Sequence, residues 1–259
     1  MKRLRYLLCG LFLLSLAGCF EIQEQINIGS DGKGDLSITT DMSQLLDGMQ
    51  NYLGKEEMAK QMPAGNIDTT VLMKTLTDSS KDVSAENKEL VKDGTVHMKL
   101  NMDQKIFNSN IHIPFSSQEN LQKLYNSMNN QSLGFTQLFK GMTGKSDSSG
   151  VEGDNNNMPD MNQFNAIYDF KSHNGLISRK LDDQKWKALQ QNPQFSQMKD
   201  LGGMGISIPY TLTINLPRPV KKVDNILAKL SPDKKQVVIQ YNLIEVFEHP
   251  EKFEYTIIY

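Results

Sequence analysis

The feature that most restricts the fold of this chain is an alternation of apolar and polar residues at a period of two. It begins in residues 20–28, where a phenylalanine and three isoleucines share one row that only Glu24 interrupts. A period of two turns successive side chains to opposite faces of a strand and buries one face. The same alternation recurs at residues 36–40, 95–102, 110–115, 164–170, 176–181, 206–216, 237–243 and 253–259. The pattern predicts a strand in each of these segments.

Turn residues between these segments indicate that neighbouring strands pair as hairpins. The stretch Gly29–Gly34 contains glycines that tolerate positive φ, and Asn174-Gly175 is a dipeptide typical of two-residue type I′ turns. Pro209 removes one backbone donor from the strand at 206–216. We therefore expect that strand to lie at a sheet edge or to carry a bulge at Pro209.

Apolar residues at helical spacing predict amphipathic helices between the hairpins. Asp41 is a suitable N-cap for a helix over residues 42–53, and Asp182 is one for a helix that contains Trp186. Ser116 and Glu119 have the spacing of a capping box before a helix that extends to residue 128. A shorter helix after residue 66 would bury three apolar side chains: Val71, Leu72 and Leu76.

Together these patterns predict an α+β fold, with a largely antiparallel β-sheet of about eight or nine strands built from hairpins. Three or four amphipathic helices would pack against that sheet. We expect residues 19–259 to form a single domain, because 38% of the chain is hydrophobic and can supply a core. The polar stretch at about 140–162 buries too little apolar area to offset ordering entropy, so it is predicted to be a mobile loop.

The first eighteen residues have the layout of a secretory signal. Lys2, Arg3 and Arg5 form a positive region, and a mostly apolar run over residues 7–16 precedes the small residues Ala17 and Gly18. The apolar run is shorter than the ~20 residues that a membrane-spanning helix needs. We therefore predict that residues 1–18 are a signal peptide that is removed.

The tetrapeptide Leu16-Ala17-Gly18-Cys19 resembles the lipobox of bacterial lipoproteins. The resemblance implies cleavage between Gly18 and Cys19, an S-diacylglycerol on Cys19 and an N-palmitoyl group on its new amino terminus. Two or more acyl chains anchor a protein stably to a bilayer. The protein would then lie in the cell envelope: at the outer membrane of a Gram-negative bacterium, or otherwise on the outer face of the cytoplasmic membrane. The alternative is an ordinary signal peptide with an incidental cysteine.

Charge and cysteine content exclude several classes of protein. Three of the 28 basic side chains lie in the predicted signal, which leaves 25 against 30 acidic side chains. Such a body has no basic footprint, so we predict no nucleic-acid partner. Cys9 leaves with the signal and Cys19 carries lipid, so neither a disulfide nor a free thiol is expected.

No familiar catalytic or metal-binding motif is present in the sequence. The four histidines, His97, His112, His173 and His249, lack partners at metal-ligand spacing, so no metal site is predicted. Nucleophile elbows, phosphate loops and zinc-protease helices are also missing. We predict a protein that is not an enzyme and that needs no cofactor.

The lipobox, the Gly29–Gly34 turn and the segments Ile208–Pro217 and Ser231–Ile239 are together loosely similar to LppM-like envelope lipoproteins. The resemblance implies a soluble domain linked with lipid-type ligands and gives no ligand-binding residue. Two hypotheses follow. The first is a non-enzymatic binding or scaffolding lipoprotein whose partner is an envelope protein. The second is a protein that binds a lipid or another hydrophobic ligand in a cavity between the sheet and the helices. Because strand periodicity begins one residue after Cys19, either protein would hold its first hairpin close to the membrane surface.

Overall fold

The computed structural model describes residues 21–54, 66–78, 83–129, 165–192, 195 and 207–259. The predicted signal peptide, Gly18 and Cys19, and the predicted loop at 140–162 lie outside the described residues. Within them no helix is both long enough and apolar enough to span a bilayer.

Twelve strands and five α-helices make up the described part of the chain. The strands are β1 (Glu21–Ile28), β2 (Gly34–Asp41), β3 (Ile67–Leu72), β4 (Thr95–Asn101), β5 (Ile106–Phe115), β6 (Tyr168–His173), β7 (Leu176–Leu181), β8 (Pro209–Asn215), β9 (Lys222–Val223), β10 (Ala228–Leu230), β11 (Gln236–Asn242) and β12 (Tyr255–Ile258). The helices are α1 (Ser43–Leu53), α2 (Met73–Asp78), α3 (Ala85–Val91), α4 (Gln118–Asn129) and α5 (Asp183–Gln190). Two short 3₁₀ helices, Leu243–Phe247 and Pro250–Phe253, precede β12.

The strands form two mostly antiparallel sheets, which confirms the predicted α+β fold. The first sheet has eight strands in the order β10-β11-β8-β1-β2-β5-β4-β3, and the second has four in the order β6-β7-β12-β9. All pairs are antiparallel except β1 with β8, which run parallel from Ile22 opposite Tyr210 to Asn27 opposite Asn215. The predicted hairpins at Gly29–Gly34 and Asn174-Gly175 are present as β1–β2 and β6–β7.

Apolar residues from both sheets form one continuous hydrophobic cluster. In β1 the buried row is the predicted one, with Ile22, Ile26 and Ile28 on the same side as the interrupting Glu24. Helix α4 packs on β6 and β5 and adds Leu121 to this core. The core therefore consists of the buried faces of strands from both sheets, together with one apolar face of helix α4.

The predicted edge position or bulge of the strand containing Pro209 was wrong. Strand β8 lies inside the first sheet between β11 and β1, and its register with β11 is continuous. Pro209 is the first residue of the strand, opposite Asn242. At that position the sheet tolerates a residue without an N–H.

The helix predicted around Val71 and Leu72 was also wrong, because these residues end strand β3. Among the described strands it lies at an edge of the first sheet and pairs only with β4. Leu72 is 54% exposed. Leu76 does lie in a helix, α2, where it is partly buried against the core. Helical spacing between Leu72 and Leu76 thus spans a boundary between two elements.

Two helices begin one residue later than predicted, and a third begins where it was predicted. Helix α1 begins at Ser43, whose N–H donates to Asp41 Oδ1 over 2.9 Å, while Asp41 itself ends β2. At α4 the capping oxygen is that of Ser117, which accepts from Asn120 N at 3.1 Å, so the predicted box at Ser116 and Glu119 was wrong. Asp182 caps α5 as predicted.

The start of the strand predicted at 164–170 is also corrected. Residues 165 and 166 are helical, and β6 begins at Tyr168. Likewise the last predicted strand begins at Tyr255, since Phe253 closes a 3₁₀ helix. In both cases the alternating sequence pattern begins before the first residue that pairs in the sheet.

Candidate functional site

A polar cleft of about 290 Å³ opens at the end of the sheets where β1 turns into β2. Three turns and the first residue of α4 form its walls. The lining residues are Gly29, Ser30, Asp31, Gly32, Gln118, Asn174, Pro217 and Arg218. These residues are far apart in the chain and meet because β1, β6 and β8 all end at this side of the molecule.

The β1–β2 turn supplies one wall and is held by its own backbone. Gly29 N–H donates to Lys33 O at 2.7 Å, and Gly32 adopts a φ of 80°, which a residue with a side chain rarely does. The carboxylate of Asp31 pairs with Lys33 Nζ at 3.1 Å. The hydrogen bond from the Lys33 side chain is the main cause that lowers the pKa of Asp31. This wall therefore carries an exposed ion pair between Asp31 and Lys33.

Arg218 forms the opposite wall and is held in place on two sides. Its Nη2 donates to Asn174 Oδ1 at 2.5 Å, and its guanidinium lies 5.4 Å from the ring centre of Tyr259. The β6–β7 turn sets this geometry, because Gly175 has a φ of 89° and its carbonyl accepts from Tyr259 N at 3.0 Å. The Asn-Gly turn that the sequence predicts thus positions a cation.

Gln118 lines the cleft and is only 9% exposed. Its Oε1 accepts two hydrogen bonds, from Tyr259 Oη at 3.1 Å and from Ser172 Oγ at 3.3 Å. Both partners are hydroxyl groups, which hold the Gln118 side chain between β6 and the last residue of the chain.

A second polar group lies in the core, midway along β1. Glu24 is 3% exposed, and its Oε2 accepts a hydrogen bond from the hydroxyl of Tyr210 on the neighbouring strand β8. Burial raises the pKa of Glu24 to about 7, and the positive charge of Arg179 opposes this rise. The residue that interrupts the apolar row of β1 is therefore a buried acid that titrates near neutral pH.

Arg179, on β7 of the second sheet, is the cation of this core group and is 4% exposed. Its guanidinium lies over the Tyr168 ring at 4.2 Å, and its Nη2 donates to Asn165 Oδ1 at 3.1 Å. Its Nη1 donates to Tyr241 Oη on the first sheet at 3.5 Å. Because Glu24 and Arg179 belong to different sheets, we interpret the group as a structural link between the sheets.

The core group also contains a buried hydroxyl without a partner. The Tyr125 ring stacks on Phe170 at 3.9 Å, and among the described residues its hydroxyl has no hydrogen-bond partner. Desolvation raises the pKa of this phenol, so it stays neutral. Neither Tyr125 nor Glu24 lines the cleft.

The helix faces that were predicted to border a hydrophobic cavity are packed in the interior. Met42 and Leu46 of the first predicted helix are buried, as are Leu121 and Leu124 of the second. The side chains of Leu45, Met49 and Leu53 lie outside the described residues. This burial favours core packing for the four described side chains.

The four histidines, for which no metal site is predicted, are dispersed over the surface. His97 pairs with Thr70 at 3.0 Å, His112 with Ser37 at 3.0 Å and His249 with Glu251 at 3.2 Å. In the part of the chain that the structure describes, no three metal-ligating side chains cluster. Sequence reasoning did not identify Gln118, Asn174 or Arg218 as site residues. The one sequence feature that could have drawn attention to Arg218 is the rarity of arginine. Only Arg179 and Arg218 follow the predicted signal peptide.

Comparisons with known proteins give one distant similarity. No protein-family model and no curated protein matches this chain. A search of solved structures finds the NMR structure of the folded domain of LppM from Mycobacterium tuberculosis. It shares 9% identity over 93% of this chain and 87% of that domain, with a TM-score of 0.35. A TM-score of this size carries no inference about function, and membership of the LppM-like lipoproteins stays a prediction.

Proposed function

We propose that this protein is a non-enzymatic binding protein of the bacterial cell envelope, anchored by lipid on Cys19, and that the polar cleft is its binding face. The lipobox at Leu16–Cys19 supports the anchor. The cleft supports a binding role, because amide, guanidinium and hydroxyl groups from separate segments of the chain converge on it.

The spacing between the anchor and the fold is the observation that carries the proposal. Strand β1 begins at Glu21, two residues after Cys19, and two residues of chain span at most about 7 Å. The anchored end of the sheet would therefore sit against the bilayer. Seven residue steps then lead along β1 to Ile28, a distance of about 23 Å. The cleft begins at the next residue, Gly29, and would face away from the anchoring membrane.

The chemistry of the cleft supports binding over catalysis. Its lining provides amides, a guanidinium and a serine hydroxyl, and no histidine is among the described residues that line it. A serine nucleophile needs a neighbouring base, and Asp31, the one carboxylate among the described lining residues, is paired with Lys33. The site can therefore donate and accept hydrogen bonds without a group suited to proton transfer.

Metabolic labelling with a clickable fatty acid tests the anchor. In a bacterial host, the full-length chain should take up the label and lose residues 1–18. Cys19→Ser should abolish the label and leave the uncleaved precursor. The matched control is Cys9→Ser, which removes the other cysteine and should label like the wild type. Label retained in Cys19→Ser, or absent from the wild type, would contradict the anchor.

A further inference from the structure

We propose that the turn over residues 225–228 is a second membrane contact, with the side chain of Ile226 inserted into the bilayer that holds the lipid anchor. The inference rests on the proposed anchor at Cys19 and goes beyond it, because it gives the anchored domain a fixed orientation. Ile226 is 90% exposed, and the next most exposed large apolar side chain among the described residues is Leu72, at 54%. Moving an isoleucine side chain from water into an apolar environment is favourable.

The turn is held in place by Asn225. This side chain is 8% exposed, and its Nδ2 donates to the backbone oxygen of Lys252, just before β12, at 2.9 Å. Its Oδ1 accepts from Leu227 N at 2.8 Å. The backbone closes the turn, since Ala228 N donates to Asn225 O at 3.2 Å. Hydrogen bonds on both sides of Ile226 therefore keep it at the tip of the turn.

The register of the first sheet places this turn at the anchored end of the molecule. Ala228 of β10 lies opposite Ile239 of β11, which lies opposite Leu212 of β8. Leu212 in turn lies opposite Glu24 of β1. Ala228 is therefore level with Glu24, near the start of β1, and β10 runs from there toward the cleft. Ile226 comes two residues before Ala228, so it lies nearer the anchored end than Glu24.

The second sheet leads to the same end. Asn174 lines the cleft, so Leu176 at the start of β7 marks the cleft end of this sheet. Ile258 of β12 lies opposite Leu176, and Lys222 at the start of β9 lies opposite Ile258. From Lys222 the chain therefore runs away from the cleft into the turn that carries Ile226. Both sheets give the turn the same position.

The lipid anchor indicates which surface covers Ile226. Cys19 is two residues from Glu21, so its acyl chains would enter the bilayer within about 7 Å of the start of β1. Strand β10 is three strands from β1, a lateral separation of about 14 Å. The bilayer surface that receives Cys19 would therefore extend beneath the turn. Because the anchor already confines the domain to this surface, a weak contact is enough to orient it.

Charges of both signs surround the turn. Lys229 follows it on β10, and Asp224 before it pairs with Lys180 at 3.2 Å. Glu248 and Glu251 are exposed on the neighbouring segment. The apolar side chain, and not a surplus of one charge, thus distinguishes this end of the molecule. The contact that it favours is with the apolar part of the bilayer, which a zwitterionic lipid is sufficient to test.

Fluorescence from a single labelled cysteine tests the contact. In the mature lipoprotein Cys9 is removed and Cys19 is acylated, so Ile226→Cys would carry the one free thiol. The full lipoprotein is labelled there with the environment-sensitive fluorophore NBD and reconstituted into phosphatidylcholine vesicles. Emission should shift to shorter wavelength, and lipids with a nitroxide on the acyl chain should quench it. The control is Lys235→Cys, in the β10–β11 turn at the cleft end, which should emit at long wavelength without quenching.

A second pair of variants leaves the probe out of the contact itself. The probe is moved to Glu251→Cys, an exposed position beside the Lys252 carbonyl that binds Asn225. Adding Ile226→Asp should lower the ratio of docked to undocked domains at least about tenfold, the effect of losing one buried isoleucine, so quenching should be lost. Leu72→Asp, the same kind of change at an exposed residue of β3, should leave quenching unchanged.

Equal emission and quenching at positions 226 and 235 would overturn the inference. Short-wavelength emission at 226 that nitroxide lipids do not quench would do so too, since protein and not lipid would then cover the side chain. Equal quenching in Ile226→Asp and Leu72→Asp is a third contrary result. The fatty-acid label distinguishes the two proposals. Normal labelling of Cys19 without a contact at 226 contradicts the contact alone, whereas a missing label contradicts the anchor and the contact together.

Discussion

Glu24 on the first sheet and Arg179 on the second are buried opposite charges joined through two stacked tyrosines. Tyr210 donates its hydroxyl hydrogen bond to Glu24, and its ring stacks on Tyr241 at 4.8 Å. Tyr241 in turn accepts from Arg179 Nη1 at 3.5 Å. Burial of both charges makes this connection between the sheets sensitive to pH and to the loss of either partner.

Folding stability should fall as pH rises from about 5 to 8. The pKa of Glu24 is raised from 4.5 to about 7 by burial, so the folded state holds a proton that the unfolded state has already lost. The stabilisation is therefore complete below pH 4.5 and is lost as pH passes through 7. Each tenfold change in proton affinity corresponds to ~1.4 kcal/mol, which gives a loss of about 3 kcal/mol.

Urea denaturation at pH 5, 6, 7 and 8 measures this slope. Glu24→Gln keeps an oxygen that can accept from Tyr210 and cannot titrate, so its free energy of unfolding should vary much less over this range. Four other carboxyl groups have a lowered pKa, so their contribution to stability changes only below this pH range. They are Asp31, Asp182, Asp224 and Asp233. Parallel curves for wild type and Glu24→Gln would contradict the assignment.

Arg179→Met should destabilise the fold by about 3 kcal/mol at pH 8, because it leaves the Glu24 carboxylate buried without its counter-charge. It should also shift the stability loss to a higher pH, since Arg179 opposes the rise in the pKa of Glu24. Adding Glu24→Gln should recover part of the lost stability. The matched control is Arg218→Met at the exposed cleft wall, for which we expect less than about 0.5 kcal/mol.

Gly34→Ala should be strongly destabilising, by more than about 3 kcal/mol. A Cβ at this position would lie 1.8 Å from the backbone oxygen of Asn27 and 2.6 Å from Phe115 Cζ, so the β1–β2 pair would have to separate. Gly32→Ala, in the adjoining turn, meets no atom within 4 Å and has only the strain of its φ of 80°. Its expected cost is about 1 kcal/mol. Thermal unfolding of both variants compares the steric clash at position 34 with the backbone strain at position 32. Equal melting temperatures would contradict the close approach at Gly34.

Asp182→Ala should cost about 1 kcal/mol, the usual effect of removing an N-cap. The carboxylate accepts from Gln184 N at 2.9 Å and from Lys185 N at 3.1 Å. Asp182→Asn should retain most of this stability, because an amide oxygen can cap as well. Asp183→Ala removes a neighbouring acid that makes no capping bond and is the control in the same denaturation series. A cost in Asp183→Ala as large as that in Asp182→Ala would show a charge effect and not a cap.

Local signals in the chain were sufficient for the elements that need only near neighbours. The β1–β2 hairpin, whose paired residues are at most 20 positions apart, the Asn174-Gly175 turn and the Asp182 cap each depend on residues that are near one another in the sequence. Glycine and asparagine select the turn, and a period of two selects the face that is buried. These preferences act before any distant contact forms, so they can be read from the order of residues.

Only the tertiary structure decided which elements are neighbours and what the irregular residues do. Periodicity states which face of a strand is buried but not which strand lies beside it, so the parallel pairing of β1 with β8 and the interior place of Pro209 could not be predicted. Glu24 was visible as a break in an apolar row, and its partner Arg179 lies more than 150 residues away. The cleft likewise joins Gly29, Gln118 and Arg218, which meet only because separate strands and a helix end on one side. Such contacts depend on how the whole chain packs, because the burial of one element is completed by another that is distant in the sequence.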